Sequence, residues 1–264
     1  MRRAARYGPR VLPQSLSGVL AVDKAAGWTS FDVVAVVRKA LGAKRVGHGG
    51  TLDPLATGLL PVLIGPATRF ADRFHEAAKV YAALILFGTE TATDDEEGEM
   101  RREAAVPDLD GDALDAVLAW FRGDILQSPP AFSAVKVAGR RAYHAARAGE
   151  DLVLEARPVR IERLEFASWR RPALRLLIVC GSGTYIRSLA RDIGRACGSA
   201  AHLGALRRLA VGSLTVDDAV DPGDIRAAGA TIAERMRPAD DRLLTLDDRY
   251  RTAPVEELLG TWQS

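Results

Sequence analysis

Gly47-His48-Gly49-Gly50-Thr51-Leu52-Asp53-Pro54-Leu55-Ala56-Thr57-Gly58 is the stretch around which the rest of this chain can be ordered. Glycine opens positive φ and lets another molecule approach the backbone closely. Asp53 precedes a proline, which biases it out of the helical region into an extended one. A carboxylate is therefore set on a stiff, irregular loop. Such a loop can present one nucleophile or base. An aspartate before proline can equally cap a turn through its own side chain. Spacing alone leaves both uses open.

Working outward, Gly18–Val22 reads as a short buried strand. Thr29 or Ser30 then caps a helix carrying Phe31, Val33, Val34, Val37, Ala40 and Leu41, and Gly42 stops it. Ala43–Gly58 reads as one loop, longer than the roughly 12–15 residues at which loops are usually functional. On its far side, Leu59–Ile64 is extended, Ala67–Ala77 is helical and Lys79–Phe87 is a strand. Further along come a helix at Asp112–Phe121, a short strand at Ser133–Val137 and a basic helix at Arg140–Ala148. Val159–Phe166 and Leu174–Cys180 read as a hairpin pair. Gly181-Ser182-Gly183 turns into a helix from Tyr185 to Cys197, with Ile186, Leu189, Ala190, Ile193 and Cys197 on one face. Leu206–Val211 is a last strand. Strands and helices intersperse without strict alternation, which makes the fold class α+β with a mixed sheet.

Composition excludes other classes. The 264 residues are 48% apolar and 27% charged, ordinary for a folded soluble domain. No run approaches the roughly 20 apolar residues of a membrane span, and the basic N-terminus lacks the apolar core of a secretory signal. Cys180 and Cys197, with four scattered histidines, make neither a disulfide framework nor a zinc site. Both thiols are expected to be buried, in a reducing cytoplasm. No G-x-x-x-x-G-K-[ST] phosphate loop is present.

Net charge is only +2, but its distribution is uneven. Glu90, Asp94, Asp95, Glu96, Glu97 and Glu99 form an acidic run, read as surface. Basic residues cluster at Arg2–Arg10, at Lys136, Arg140, Arg141 and Arg147, and at Arg187, Arg191, Arg195, Arg207 and Arg208. Such clustering is compatible with a polyanion ligand, and equally with solvated faces.

Three places stand out as partners for Asp53. Arg187 lies in the first turn of its helix, where the helix dipole disfavours a cation, so it either has a fixed anionic partner or is an ordinary surface arginine. Tyr81 interrupts an aliphatic strand, as a functional residue or as a core tyrosine with a satisfied hydroxyl. Leu206-Arg207-Arg208-Leu209 sets two arginines beside apolar neighbours.

Four segments together, Gly18–Lys24 (GVLAVDK), Gly47–Gly58 (GHGGTLDPLATG), Gly181–Arg187 (GSGTYIR) and Leu206–Ala210 (LRRLA), resemble the bacterial tRNA pseudouridine synthases of the B family. Their order and spacing agree as well, from about Gly18 to Gly212. The resemblance implies the pseudouridine synthase fold, a largely antiparallel central sheet flanked by helices with an RNA-gripping insertion. It implies isomerisation of uridine 55 in the tRNA T-loop to pseudouridine, with no cofactor and no metal. The implied partner is the T-arm and elbow of tRNA, met by a cytoplasmic monomer with no membrane attachment.

Residue by residue, the resemblance makes Asp53 the catalytic aspartate and Arg187 the arginine that pairs with it. Tyr81 becomes the pocket tyrosine, whose ring stacks on uracil and whose hydroxyl assists proton removal from C5. Tyr185 and Leu206 wall the base, and Arg208 belongs to the same substrate-binding set. His48 fills space vacated by flipped bases, because the target atoms are shielded within the stacked loop. Asp95 matches an acidic residue near the site. Lys136, Arg140 and Arg141, with Tyr143 and His144, match the insertion at about 127–157 that contacts phosphates and bases.

The implied domain plan is a basic arm at 1–17, a catalytic domain at 18–212 and a short extension at 213–264 without a complete PUA domain. The sequence departs from many relatives at Val80, where they carry arginine or lysine, and at Gly49-Gly50-Thr51. A second reading is a tRNA-binding or tRNA-folding module without essential catalysis. A third, Asp53 as phosphoryl acceptor, lacks the carboxylates that would hold Mg²⁺ nearby.

Overall fold

The computed structural model describes residues 16–133, 136–137, 140–141, 154–260 and 262. The chain gathers into two compact units, one drawn from Met1–His75 and Ser213–Thr245, the other from Glu76–Gly212 and Leu246–Ser264.

In the first unit, β1 (Gly18–Lys24) runs antiparallel to β3 (Thr57–Ile64), in register from Gly18↔Ile64 to Lys24↔Gly58. The expected loop from Ala43 to Gly58 is interrupted by β2 (Val46–His48), which pairs with the end of β3, Val46 opposite Ile64. Its three residues carry too little alternation to register as a strand. Helix α1 (Ser30–Leu41) begins at Thr29, whose side chain accepts from the Asp32 N–H while Asp32 answers to the Thr29 N–H. It ends at Gly42, in the left-handed region at φ 58°. Val33, Val34, Val37 and Leu41 point inward onto Leu20, Val22, Leu60, Val62 and Ile64. Val220, Ile225 and Ile232 close this core from the later segment. The helix expected at Ala67–Ala77 is a 3-10 turn, Gly65–Phe70, followed by α2 (Ala71–Glu76).

In the second unit, β4 (Lys79–Phe87), β7 (Gly123–Gln127), β10 (Arg157–Arg170), β11 (Ala173–Cys180) and β12 (Ala201–Val211) lie in the order β12-β4-β11-β10-β7. Each neighbouring pair is antiparallel. β10 and β11 are the hairpin read from the sequence. The α+β class with an antiparallel sheet therefore holds. Helix α3 (Gly111–Ala119) is capped by the Asp110 carboxylate on the Ala113 N–H at 2.8 Å. Helix α4 (Ile186–Ala196) buries Ile186, Leu189, Ala190 and Ile193. Cys180 is buried, whereas Cys197 is only half-buried at the helix end.

Two expectations are corrected. The acidic run is a surface feature only in part: Glu96, Glu97 and Glu99 are exposed, but Glu90, Asp94 and Asp95 are buried, at the base and tip of a hairpin formed by β5 (Thr89–Thr91) and β6 (Met100–Glu103). Burial is possible because each of these acids meets an arginine. Arg140 and Arg141 do not begin a helix: as β9 they pair with β8 (Lys136–Val137). Tyr143, His144 and Arg147 lie outside the described residues, as does the basic arm at Arg2–Arg10.

Candidate active site

Asp53 sits on a loop whose backbone is pinned on both sides of it. Lys24, the last residue of β1, is fully buried. Its Nζ donates to the carbonyls of Ala25 (3.0 Å), Trp28 (2.7 Å) and Pro54 (3.2 Å). The Gly27 N–H reaches the same Pro54 carbonyl at 2.9 Å. On the other side, the Ser30 hydroxyl accepts from the Leu52 N–H at 2.9 Å and lies 3.2 Å from the Leu52 carbonyl. The Ala56 N–H bonds back to the Asp53 carbonyl at 3.1 Å, closing a turn with proline at its second position. Leu52 is buried and Asp53 half-buried. Both neighbours of the carboxylate are thus held, by a core lysine and a helix-start serine.

Gly49 is required by the same loop. A Cβ there would stand 2.5 Å from the Phe74 Cβ. His48, on β2 opposite Val62, lies edge-on to His75 with ring centroids 6.3 Å apart. His48 is half-buried, the placement of a side chain that can meet a substrate from the surface.

In the second unit, Tyr81 lies mid-strand in β4, opposite Ile178 on one side and Arg208 on the other. Leu206 is opposite Ala83, so Leu206, Arg208, Tyr81 and Lys79 share one face of the sheet. Arg208 is buried to 1% exposure, which places its guanidinium inside the fold rather than on a solvent face. Lys79 is buried beside it. Burial first, and then the Arg208 charge, bring the Lys79 ammonium down to about 8. Tyr185 stands at the start of α4, its N–H on the Gln127 side-chain oxygen at 2.8 Å and its carbonyl on the Gln127 amide at 3.1 Å.

Arg187, in the first turn of α4, meets an anion. Its guanidinium lies 3.6 Å from the Asp95 carboxylate and donates to the carbonyls of Thr93 (3.0 Å) and Phe132 (3.2 Å). The third basic cluster is accordingly no open polyanion face. Arg187, Arg191 and Arg195 recur every fourth residue and meet Asp95, Asp94 and Glu90 in turn.

Sequence reasoning used Lys24 only as part of a motif and Ser30 only as a cap. A lysine closing an apolar strand, where a loop is the normal place for it, was the available signal. Lys136 lies in β8, and Arg140 and Arg141 form β9.

Comparison with known proteins meets this geometry. Residues 38–186 match the family model described as "TruB family pseudouridylate synthase (N terminal domain)". The chain belongs to the TruB family. Residues 187–259 match the "tRNA pseudouridylate synthase B C-terminal domain" model. Among curated TruB relatives, tRNA pseudouridine synthase B of Xanthomonas axonopodis pv. citri is 47% identical over 201 residues, 76% of this chain and 65% of that protein. The Thermobifida fusca protein of the same name is 47% identical over 218 residues, 80% of this chain and 74% of its own. The chain thus spans about 65% of the length of the first of these relatives. Of solved structures, the chain resembles one in a Cbf5-Nop10-Gar1 complex, with TM-score 0.66 and 28% identity over 84% of this chain and 60% of that one. It also resembles one in an H/ACA RNP bound to a substrate RNA containing 2'-deoxyuridine, with TM-score 0.61 and 25% identity over 90% of this chain and 61% of that one. No helix among the described residues is long and apolar enough to cross a membrane.

Proposed function

We propose that this TruB-family protein isomerises uridine 55 in the T-loop of tRNA to pseudouridine, with Asp53 as the catalytic carboxylate. The observation that carries this reading is the doubly pinned Asp53 loop: Lys24 and Ser30 fix its backbone, and the family identity gives the fixed carboxylate its chemistry. Rigid presentation matters because a carboxylate held within reach of a reacting carbon gains much of its rate from orientation.

The reaction is balanced without a cofactor. The N1–C1′ bond of uridine breaks, a C5–C1′ bond forms, the proton on C5 leaves and N1 takes up a proton. Three first steps are open to a carboxylate here: attack at C1′, attack at C6, or removal of a sugar proton. Each brings the carboxylate to the sugar or base of a nucleotide extruded from its stack. Tyr81 is assigned the removal of the proton on C5. Arg187 is the cation matched to the carboxylate in the family, held ready by Asp95, Thr93 and Phe132. Tyr185 and Leu206 wall the uracil, Arg208 backs the same face, and His48 takes the space of displaced bases.

Lys136, Arg140 and Arg141 are assigned to phosphate contacts, which position RNA without reading its sequence. In the proposed plan residues 18–212 carry the reaction, and 213–264 extend the fold. The protein acts as a monomer in the cytoplasm, where its tRNA substrate resides.

The test is site-specific pseudouridine mapping on an unmodified tRNA transcript, with wild type, Asp53→Asn and Asp53→Ala. Conversion at position 55 by wild type, abolished in both variants with tRNA binding kept, is the expected result. Binding without conversion by wild type overturns the isomerase in favour of a tRNA-folding module. Conversion at another uridine overturns the assignment to position 55.

A further inference from the structure

Arg187 owes its place to two loops, and both loops are also held by a second arginine one helical turn away. The hairpin tip supplies the Thr93 carbonyl and the Asp95 carboxylate to Arg187. The segment after β7 supplies the Phe132 carbonyl. Arg191 repeats this arrangement. Its Nη1 donates to the Asp94 carboxylate at 2.7 Å, and its Nη2 donates to the Ser128 carbonyl at 3.1 Å. Its Nε is occupied by Asp192 at 2.9 Å.

Asp94 adds a backbone reason. It is the one non-glycine residue with positive φ among the described residues, at 60°. Aspartate tolerates this region better than most residues, yet still at a cost. Its carbonyl accepts from the Leu203 N–H at 3.0 Å, and the Glu96 N–H returns to the Leu203 carbonyl at 3.1 Å. Side-chain exposure is 12% for Arg191 and 10% for Asp94, so neither is a rim charge. Burial raises the Asp94 carboxyl against the opposing pull of Arg191 and Arg187. A buried pair that is costly to form but broken only at greater cost is better suited to fixing a geometry than to adding stability.

We propose that Asp94 and Arg191 are positioning residues for Arg187: their ion pair locks the left-handed turn at Asp94, and the Arg191–Ser128 bond fixes the second loop. Arg187 holds the tip at Thr93 and Asp95 but the second loop only at the Phe132 carbonyl. Arg191 adds a further point on each, at Asp94 and at Ser128. Neither residue touches the substrate. This inference rests on the proposed uridine isomerisation, because the readout is that reaction.

The experiment compares Arg191→Gln, Arg191→Lys and Asp94→Asn with wild type, and with Arg195→Gln. Arg195 pairs with Glu90 from the same helix but bonds to neither the tip nor the Ser128 segment. Single-turnover conversion of tRNA, tRNA affinity and thermal midpoint are measured on each, well below the lowest midpoint. Arg191→Gln and Asp94→Asn should slow single turnover by about tenfold or more, as a misplaced reacting group does. Affinity should stay within about threefold, and a variant combining Arg191→Gln with Asp94→Asn should lose little beyond the worse single change. Arg191→Lys, which keeps the charge and the fold but cannot span both loops, should also be slow. Arg195→Gln should turn over within about threefold of wild type, its effect confined to stability. Folded Asp94 and Arg191 variants that turn over like wild type, or a loss in Arg195→Gln as large as theirs, would overturn the proposal. If Arg191→Gln and Asp94→Asn fail to fold, Arg191→Lys decides alone. Wild type that converts no uridine refutes the isomerase reading instead, and is read before any variant.

Discussion

The Lys24 ammonium reaches the Pro54 carbonyl at 3.2 Å across 30 residues of chain, and so ties the end of the first strand to the residue after the candidate catalytic aspartate. The same Nζ holds the Ala25 and Trp28 carbonyls, so one buried cation collects both loops. Lys24→Met would take this donor from the Ala25 and Trp28 carbonyls and leave Pro54 with the Gly27 N–H alone, each buried acceptor left unsatisfied costing on the order of 1–3 kcal/mol. We expect a clear fall in thermal midpoint. At temperatures where the variant is folded, conversion should fall by about a hundredfold with tRNA affinity little changed, because the loop loses orientation rather than charge. A folded variant with full turnover would show that Pro54 needs no anchor.

Gly49→Ala tests the packing behind His48. The added methyl would meet the Cβ of Phe74 at 2.5 Å, a contact no rotamer of Phe74 can relieve. Destabilisation of about 1–3 kcal/mol is expected by chemical denaturation. Adding Phe74→Ala should not rescue it, since alanine keeps the offending Cβ. Rescue by that second change would mean that the ring, not the backbone approach, sets the limit.

Glu90 gives a pH signature. Burial pushes its carboxyl up, but the Arg195 and Arg102 guanidinia together outweigh burial and hold it below 4.5. A carboxyl lowered in the folded state adds stability that is fully present above its ordinary value and is lost as pH falls through the lowered one. Wild type should therefore exceed Glu90→Gln in thermal midpoint at neutral pH, and the gap should close as pH drops below about 4.5. A gap that stays constant through this range would mean that the two arginines contribute nothing through the Glu90 charge.

Tyr81→Phe separates the ring from the hydroxyl. Phenylalanine keeps the ring and the strand position opposite Ile178 and Arg208, so the fold and tRNA affinity should persist. Loss of a positioned proton acceptor should lower single-turnover conversion by roughly 10²–10⁴-fold. Undiminished conversion would move proton removal from C5 to another group.

Much of this architecture was legible in the chain. Lys79–Phe87 reads as a strand and is one, because an aliphatic run of that length fits only a sheet core. Thr29, Asp32 and Gly42 bound their helix as their side chains and conformational freedom dictate. The glycine-rich run singles out Asp53, and a cation in the first turn of α4 singles out Arg187. These are local signals, carried by residues within a turn or two of one another.

What the sequence could not supply is long-range partnership. Six acids in ten residues look like solvent-facing charge until Arg187, Arg191 and Arg195, about a hundred residues later, line up along one helix to neutralise three of them. Lys24 looks like a strand end until Pro54 arrives against it. Arg208 looks like a surface cation until the sheet closes over it. Family, candidate carboxylate and most elements are written along the chain, because propensity, capping and motif spacing act locally. Which charges are buried is a property of the fold, since desolvation depends on what is brought beside each group, and that is set by contacts between residues far apart in sequence.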